Sequence, residues 1–347
     1  MKANFKVGIP FVIIGIVAIS LWLGCKPMVP PQTPDNKWQI PIHEPNLPRS
    51  ELDELAGFWS SESNRVHWNT AETLAGIATQ VYIDGEVSED EFRTLGFDVA
   101  EEIRVRNTVV WVLHDVDLRI TVVSFRGSDD RDDWKSNFQK QKIPHRLGFV
   151  HSGFESLYRS VRARVLASIG SNSFDSLWVT GHSLGGALAL LCAEDLESSR
   201  KNKIAGLVTF GQPMVFDRKA ALVVQKKLSG RYQRFINVWD PVPRTPPFYD
   251  HCGSWVWFRD TGVERSDAIR VAYGSSSEQD AALLSDPGPS QMSEAEYQAF
   301  KVEALAEPPT LRDENGMPVV QGKIPYLSDH YMDQYISSIR TQLDKKQ

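Results

Sequence analysis

The sequence predicts an α/β protein built on a mainly parallel central sheet with helices on both faces, and two patterns carry that reading. The first is alternation: β-rich runs at 177–180, 204–210 and 231–239 are separated by helical stretches after Ser183 and near Phe216 to Leu228. Such alternation buries a parallel sheet between helical layers and leaves the strand carboxyl ends free for functional loops. The second is Gly181-His182-Ser183-Leu184-Gly185-Gly186, set between the strand formers Leu177 to Thr180 and an alanine- and leucine-rich helix. A serine hydroxyl is a weak nucleophile. A fold that uses one projects it from a tight strand-to-helix turn where a base and oxyanion donors converge, and flanking glycines let the chain pass. Ser183 is therefore the candidate nucleophile.

At the amino terminus, Lys2 and Lys6 precede an uncharged run of eighteen residues, Val7 to Gly24. This reads as a membrane-targeting segment, longer than a usual signal core and just reaching spanning length. It ends in Gly24-Cys25, which resembles a bacterial lipoprotein signal; an ordinary cleaved export signal is the alternative. Cys25 to Arg49 holds seven of the twenty prolines and reads as a stiff linker. The expected organisation is a segment at 1–24, a linker at 25–49 and a catalytic domain at 50–347 with an acidic insertion at 275–322. An extracytoplasmic protein tethered to a membrane follows, or a secreted one if the segment is removed.

Ser50 and Asp53 form an N-cap pattern, and helical spacing continues to Ile83, predicting one or two helices. Ile103 to Leu113 and Leu118 to Phe125 read as a hairpin around Asp115, and Gly153 to Ser168 as an amphipathic helix. In the insertion, Ser293-Glu294-Ala295-Glu296 is a capping box for a helix reaching Ala306, with Tyr297, Phe300, Ala304 and Leu305 on one face. Two readings stay open there: a disordered acidic excursion, or a cap over the site.

The net charge is −6, and Ser275 to Glu314 alone carries nine acidic against two basic residues. No basic stripe is present to neutralise a phosphate backbone, so nucleic acid is not an expected partner. Cys25, Cys192 and Cys252 give neither a disulfide framework nor a metal-ligand spacing, and no nucleotide loop occurs. No metal or other cofactor is expected, and nothing indicates the oligomeric state.

In folds with this elbow the acid and the base follow the serine along the chain. Asp240 ends a strand and opens Asp240-Pro241-Val242-Pro243, where proline stops the strand and fixes the loop. Asp195 lies on the elbow helix and Asp217 comes one element too early. His182 adjoins Ser183 and His151 precedes it, which leaves His251 and His330. His330 is favoured, because a loop histidine at a helix start can lean over a neighbouring strand end.

Phe125-Arg126-Gly127-Ser128 with Asp133-Trp134, His151-Ser152-Gly153-Phe154, the GHSLGGALA stretch, Gly211-Gln212-Pro213, Asp240-Pro241-Val242-Pro243, His251 with Gly253, and Asp329-His330 together resemble the class 3 lipases, the fungal-lipase-like α/β-hydrolases. The resemblance spans roughly Arg119 to Tyr335. It implies an α/β-hydrolase fold, hydrolysis of carboxylic esters of acyl lipids, and nucleophile, acid and base roles on Ser183, Asp240 and His330. The oxyanion donors would be the N–H groups of Ser128 and Leu184. The segment after Ser128, a greasy lid in fungal members, here has Trp134 and Phe138 as its only large apolar residues. Those two, with Tyr297 and Phe300, are the candidate substrate contacts. The acidic insertion points to neutral glycerides or simple esters rather than anionic lipids. A phospholipase, an acyltransferase using the same triad, and a tethered lipid-binding protein with a decayed site are the alternatives.

Overall fold

The structure, a computed structural model, describes residues 52–53, 55–56, 66–83, 85–128, 141–171, 174–199, 204–259, 261–265, 290–304 and 330–345. The targeting segment, the linker, Trp134 and Phe138 lie outside these residues. No helix among the described residues is long and apolar enough to cross a membrane.

Helices α1 (Trp68–Gln80) and α2 (Gly85–Leu95) lead into strands β1 (Val99–Val105), β2 (Thr108–Asp115) and β3 (Ile120–Phe125). A hairpin of β4 (Lys142–His145) and β5 (Gly148–His151) runs into α3 (Ser152–Ser171). Then β6 (Ser176–His182), α4 (Leu184–Ser199), β7 (Gly206–Phe210), α5 (Arg218–Lys227) and β8 (Tyr232–Ile236) alternate. Strands β9 (Ser254–Arg259) and β10 (Gly262–Arg265), and helices α6 (Glu294–Ala304) and α7 (Met332–Asp344), complete the described elements.

Among the described residues the main sheet has eight strands in the order β1-β2-β3-β6-β7-β8-β9-β10. Strands β3, β6, β7, β8 and β9 pair in parallel, while β1, β2 and β10 join antiparallel at the edges. Every residue of β6 is buried, as a central parallel strand covered on both faces requires. One apolar layer beneath α3, α4 and α5 contains Val161, Leu188 and Val224; the other, beneath α1 and α7, contains Ile77, Trp178 and Ile339. The expected mainly parallel α/β sheet is thus present.

Two local expectations change. The run Ile103 to Leu113 is not one strand: a turn at Arg106 and Asn107, with Arg106 at φ 52°, divides it into β1 and β2. Asn favours such turns, but both flanks are so β-rich that the break is hidden. The aromatic run Trp255 to Phe258, not assigned to an element from the sequence, forms β9 and extends the parallel sheet. Within the insertion, residues 294–304 are helical, and Ser293 and Glu296 exchange the backbone contacts of a capping box at 2.7 and 3.2 Å.

Candidate active site

Strand β6 delivers Ser183 at its carboxyl end, and the chain turns into α4 at the next residue. Ser183 has φ 56°, a left-handed conformation that costs a non-glycine residue on the order of 1–2 kcal/mol and is held by the surrounding contacts. Its N–H donates to Phe210 O at 2.9 Å, and its own carbonyl accepts from Gly186 N at 2.9 Å. A Cβ on Gly185 would overlap the carbonyl of Phe125, and one on Gly181 would overlap the carbonyl of Gly185. Both motif glycines are therefore required by the close approach of the elbow to its own helix and to the end of β3.

Beyond β8 the chain turns at Asn237, whose carbonyl accepts from Asp240 N at 2.8 Å, and enters a 3₁₀ turn at Val242–Arg244. This presents the Asp240 carboxylate inward with the side chain nearly fully buried. Oδ1 accepts from Val242 N at 2.8 Å and Oδ2 from the Tyr335 hydroxyl at 2.5 Å. His330 lies two residues before α7. Its Nδ1 is 3.0 and 2.9 Å from the Asp240 oxygens, and its Nε2 is 2.8 Å from Ser183 Oγ. A carboxylate only accepts, so Nδ1 carries the proton and donates; Nε2 is left as the acceptor for the serine hydroxyl. All three side chains are largely shielded from water. The site thus joins a hydroxyl, a base and an orienting carboxylate in one buried hydrogen-bonded row.

The other candidates have structural partners. His251 Nε2 donates to Pro243 O at 2.6 Å, which braces the Asp240 loop. Burial, and then the neighbouring Arg234, hold its pKa well below the ordinary imidazole value. Asp217 caps α5, accepting from Ala220 N at 3.1 Å and from Phe149 N at 2.9 Å. Asp195 pairs with Arg162 at 2.7 Å and accepts from the Tyr158 hydroxyl at 2.8 Å. Ser128, just beyond β3, and Leu184, the first residue of α4, are both buried. The N–H of a first helical residue has no intrahelical acceptor.

Tyr297 and Phe300 are each 1% exposed, and the segment leading into α6 is tied to the Asp240 loop. Met292 N donates to Arg244 O at 2.9 Å, Gln291 Nε2 to Tyr249 O at 2.6 Å, and Arg244 Nε to Ser290 O at 2.8 Å. The structure therefore ties the segment that leads into α6, the helix carrying these two aromatics, to the acid's loop, and Trp134 and Phe138 fall outside the described residues. Three contributors went unrecognised in the sequence: Tyr335, Tyr82 and His182, whose roles depend on contacts across the fold. Among the described residues no group of three or more His, Cys, Asp or Glu side chains is placed to hold a metal ion.

The family profile described as Lipase (class 3) matches residues 122–250. The chain is 32% identical over 259 residues to a lipase of Rhizomucor miehei, covering 67% of this chain and 70% of that protein. It is 27% identical over 302 residues to triacylglycerol lipase OBL1 of Arabidopsis thaliana, covering 67% of this chain and 56% of that one. A secreted mono- and diacylglycerol lipase of Fusarium solani is 35% identical over 147 residues, covering 39% and 43% of the two chains. Among solved structures, the Rhizomucor miehei triacylglyceride lipase superposes with a TM-score of 0.50 at 23% identity, covering 61% of this chain and 92% of that one, a likeness of fold. Shared fold, family profile and sequence identity through most of a fungal lipase lead to one conclusion: the chain belongs to the class 3 lipases, a family of serine ester hydrolases.

Proposed function

We propose that this protein hydrolyses carboxylic esters of neutral acyl lipids, with Ser183 as nucleophile, His330 as general base and acid, and Asp240 orienting the imidazole. The observation that carries the reading is the 2.8 Å contact from Ser183 Oγ to a ring nitrogen whose partner nitrogen is held by a buried carboxylate. Ser183 Oγ attacks the ester carbonyl while Nε2 takes its proton. The tetrahedral oxyanion accepts from the N–H groups of Ser128 and Leu184, each worth about 10²–10³ in turnover. The imidazolium then gives its proton to the leaving alcohol, and water, activated by the same nitrogen, releases the acid. Support for acylglycerols comes from the names of the relatives, among them a mono- and diacylglycerol lipase. The acid-rich face of α6, with Glu294 and Glu296 exposed, disfavours anionic head groups. Residues 1–24 would hold the enzyme at a membrane outside the cytoplasm.

A panel of p-nitrophenyl esters, mono-, di- and triacylglycerols and phospholipids, run beside Ser183→Ala, tests this reading. Turnover of neutral esters that disappears in Ser183→Ala supports it. Phospholipid turnover exceeding that of glycerides overturns the substrate class, and fluorophosphonate labelling that persists in Ser183→Ala overturns the nucleophile.

A further inference from the structure

The contacts of His330 with Ser183 and Asp240 orient its ring; a different contact fixes its main chain. His182 Nε2 lies 2.6 Å from the carbonyl oxygen of His330. A carbonyl only accepts, so Nε2 of His182 carries the proton. In a neutral ring Nδ1 is then an acceptor, and the hydroxyl of Tyr82, 2.9 Å away, is its donor. The two imidazoles lie 4.6 Å apart at 35°, and the Tyr82 ring meets His182 edge-on at 5.9 Å. His182 is fully buried, and burial together with His330 keeps it neutral, its pKa well below the ordinary imidazole value. Only one tautomer satisfies both partners.

The Tyr82 hydroxyl occupies a notch that glycine leaves open. A Cβ on Gly127 would collide with that oxygen, and would also approach His182 O to 2.7 Å and Ser183 Cβ to 3.1 Å. Gly127 immediately precedes Ser128, His182 immediately precedes Ser183, and Tyr82 sits in the turn after α1. One phenol thus stands where the loop of the proposed oxyanion donor, the elbow and the base converge.

We propose that Tyr82 and His182 are positioning residues for the reaction: Tyr82 fixes the His182 tautomer, and His182 Nε2–H tethers the backbone of His330 so that its own Nε2 stays on the serine hydroxyl. This rests on His330 being the base. Tyr82 also lies outside the residues that match the family profile, 122–250. The tether therefore brings the α1 end of the domain into the site. A misplacement of about 1 Å at a reacting group costs on the order of 10² in rate, so a hydrogen bond on the backbone of the base acts on turnover rather than on binding.

The test uses the full chain and the variants Tyr82→Phe, His182→Gln and His182→Leu. Readouts are kcat and KM on a short soluble p-nitrophenyl ester, the rate of fluorophosphonate labelling of Ser183, the thermal midpoint, and the downfield proton resonance of the His330–Asp240 pair. Tyr82→Phe is expected to keep KM and the fold but to lose about ten-fold in kcat and in labelling rate, the rate equivalent of one buried hydrogen bond. Its downfield proton should shift. His182→Leu should lose about 10²-fold, and His182→Gln, which keeps an N–H for the His330 carbonyl and an oxygen for Tyr82, should recover most of that. A folded Tyr82→Phe with unchanged kcat and an unshifted downfield proton overturns the proposal, as does equal impairment in the Gln and Leu variants. If His182→Leu does not fold, Tyr82→Phe and His182→Gln decide alone. Absence of esterase activity and labelling in the wild-type protein would instead remove the ester hydrolase reading, and the proton resonance would still report on the tether.

Discussion

Tyr335 Oη donates to Asp240 Oδ2 at 2.5 Å and accepts from Asn237 N at 3.1 Å, so the segment that carries His330 also clamps the loop that carries the acid. The Tyr335 side chain is fully buried, out of reach of bulk solvent. Tyr335→Phe is expected to cost about 1–3 kcal/mol of stability, because an amide and a carboxylate oxygen are left short of a partner. It should also lower kcat several-fold with little change in KM. Urea unfolding and steady-state kinetics on the same preparation check both parts; wild-type kcat in the folded variant would separate the clamp from catalysis.

The two histidines left open by the sequence now have different expected phenotypes. His330→Ala should remove on the order of 10⁴ or more from kcat in a protein that still folds, with about 1–3 kcal/mol of stability lost because the buried Asp240 carboxylate is left short of a donor. His251→Ala should retain turnover but lose stability, about 1–3 kcal/mol, because the buried carbonyl of Pro243 loses its donor. A folded, inactive His251→Ala beside an active His330→Ala would reverse the assignment.

What could be read from the sequence was what lies close together in it. Ser183 is marked by glycines within two residues on either side, and Asp240 by the end of a strand and a following proline. The hydrogen bond from the Ser183 hydroxyl to His330 spans 147 residues, so its candidate could be ranked by position but its geometry could not be foreseen. Tyr335 and Tyr82 carry no local mark: a tyrosine on an apolar helix face or in a turn after a helix reads as packing, and only the fold gives its hydroxyl a partner. His182 was set aside because it cannot turn back onto Ser183, and it does not; it reaches the backbone of His330 instead. Strand β9 escaped because Trp255 to Phe258 shows no apolar and polar alternation, as buried parallel strands do not.

The insertion helix gives a prediction that separates bracing of the acid's loop from a cap over the acyl chain. Tyr297 and Phe300 are buried while residues 290–292 tie to Arg244 and Tyr249, so α6 braces the acid's loop. Phe300→Ser should cost about 3–5 kcal/mol, in the range for truncating a buried phenylalanine, and should lower kcat by a similar factor for esters of every chain length. Loss confined to long-chain esters would place this face over the acyl chain instead. Activity on acetate, octanoate and palmitate p-nitrophenyl esters distinguishes the outcomes.

Acid should unfold this protein through histidines that fold in the neutral state. His151 is buried between Phe154, stacked at 4.0 Å, and Tyr249 at 5.4 Å, and burial lowers its pKa to about 4. His182 and His251 are lowered well below the ordinary value by burial and by a neighbouring His330 or Arg234. In the unfolded chain all three titrate near 6.5. Below that pH the unfolded state binds protons that the folded state refuses, so stability is complete above about pH 6.5 and falls as the pH drops toward 4. Each histidine contributes a slope of about 1.4 kcal/mol per pH unit inside its window. His151→Leu keeps an apolar ring-sized contact for Phe154 but removes one titrating group, so its unfolding free energy should depend less steeply on pH by about one proton. Urea midpoints at pH 7, 6 and 5 for both proteins measure this; parallel pH dependences would show that His151 takes up its proton as readily in the folded as in the unfolded state.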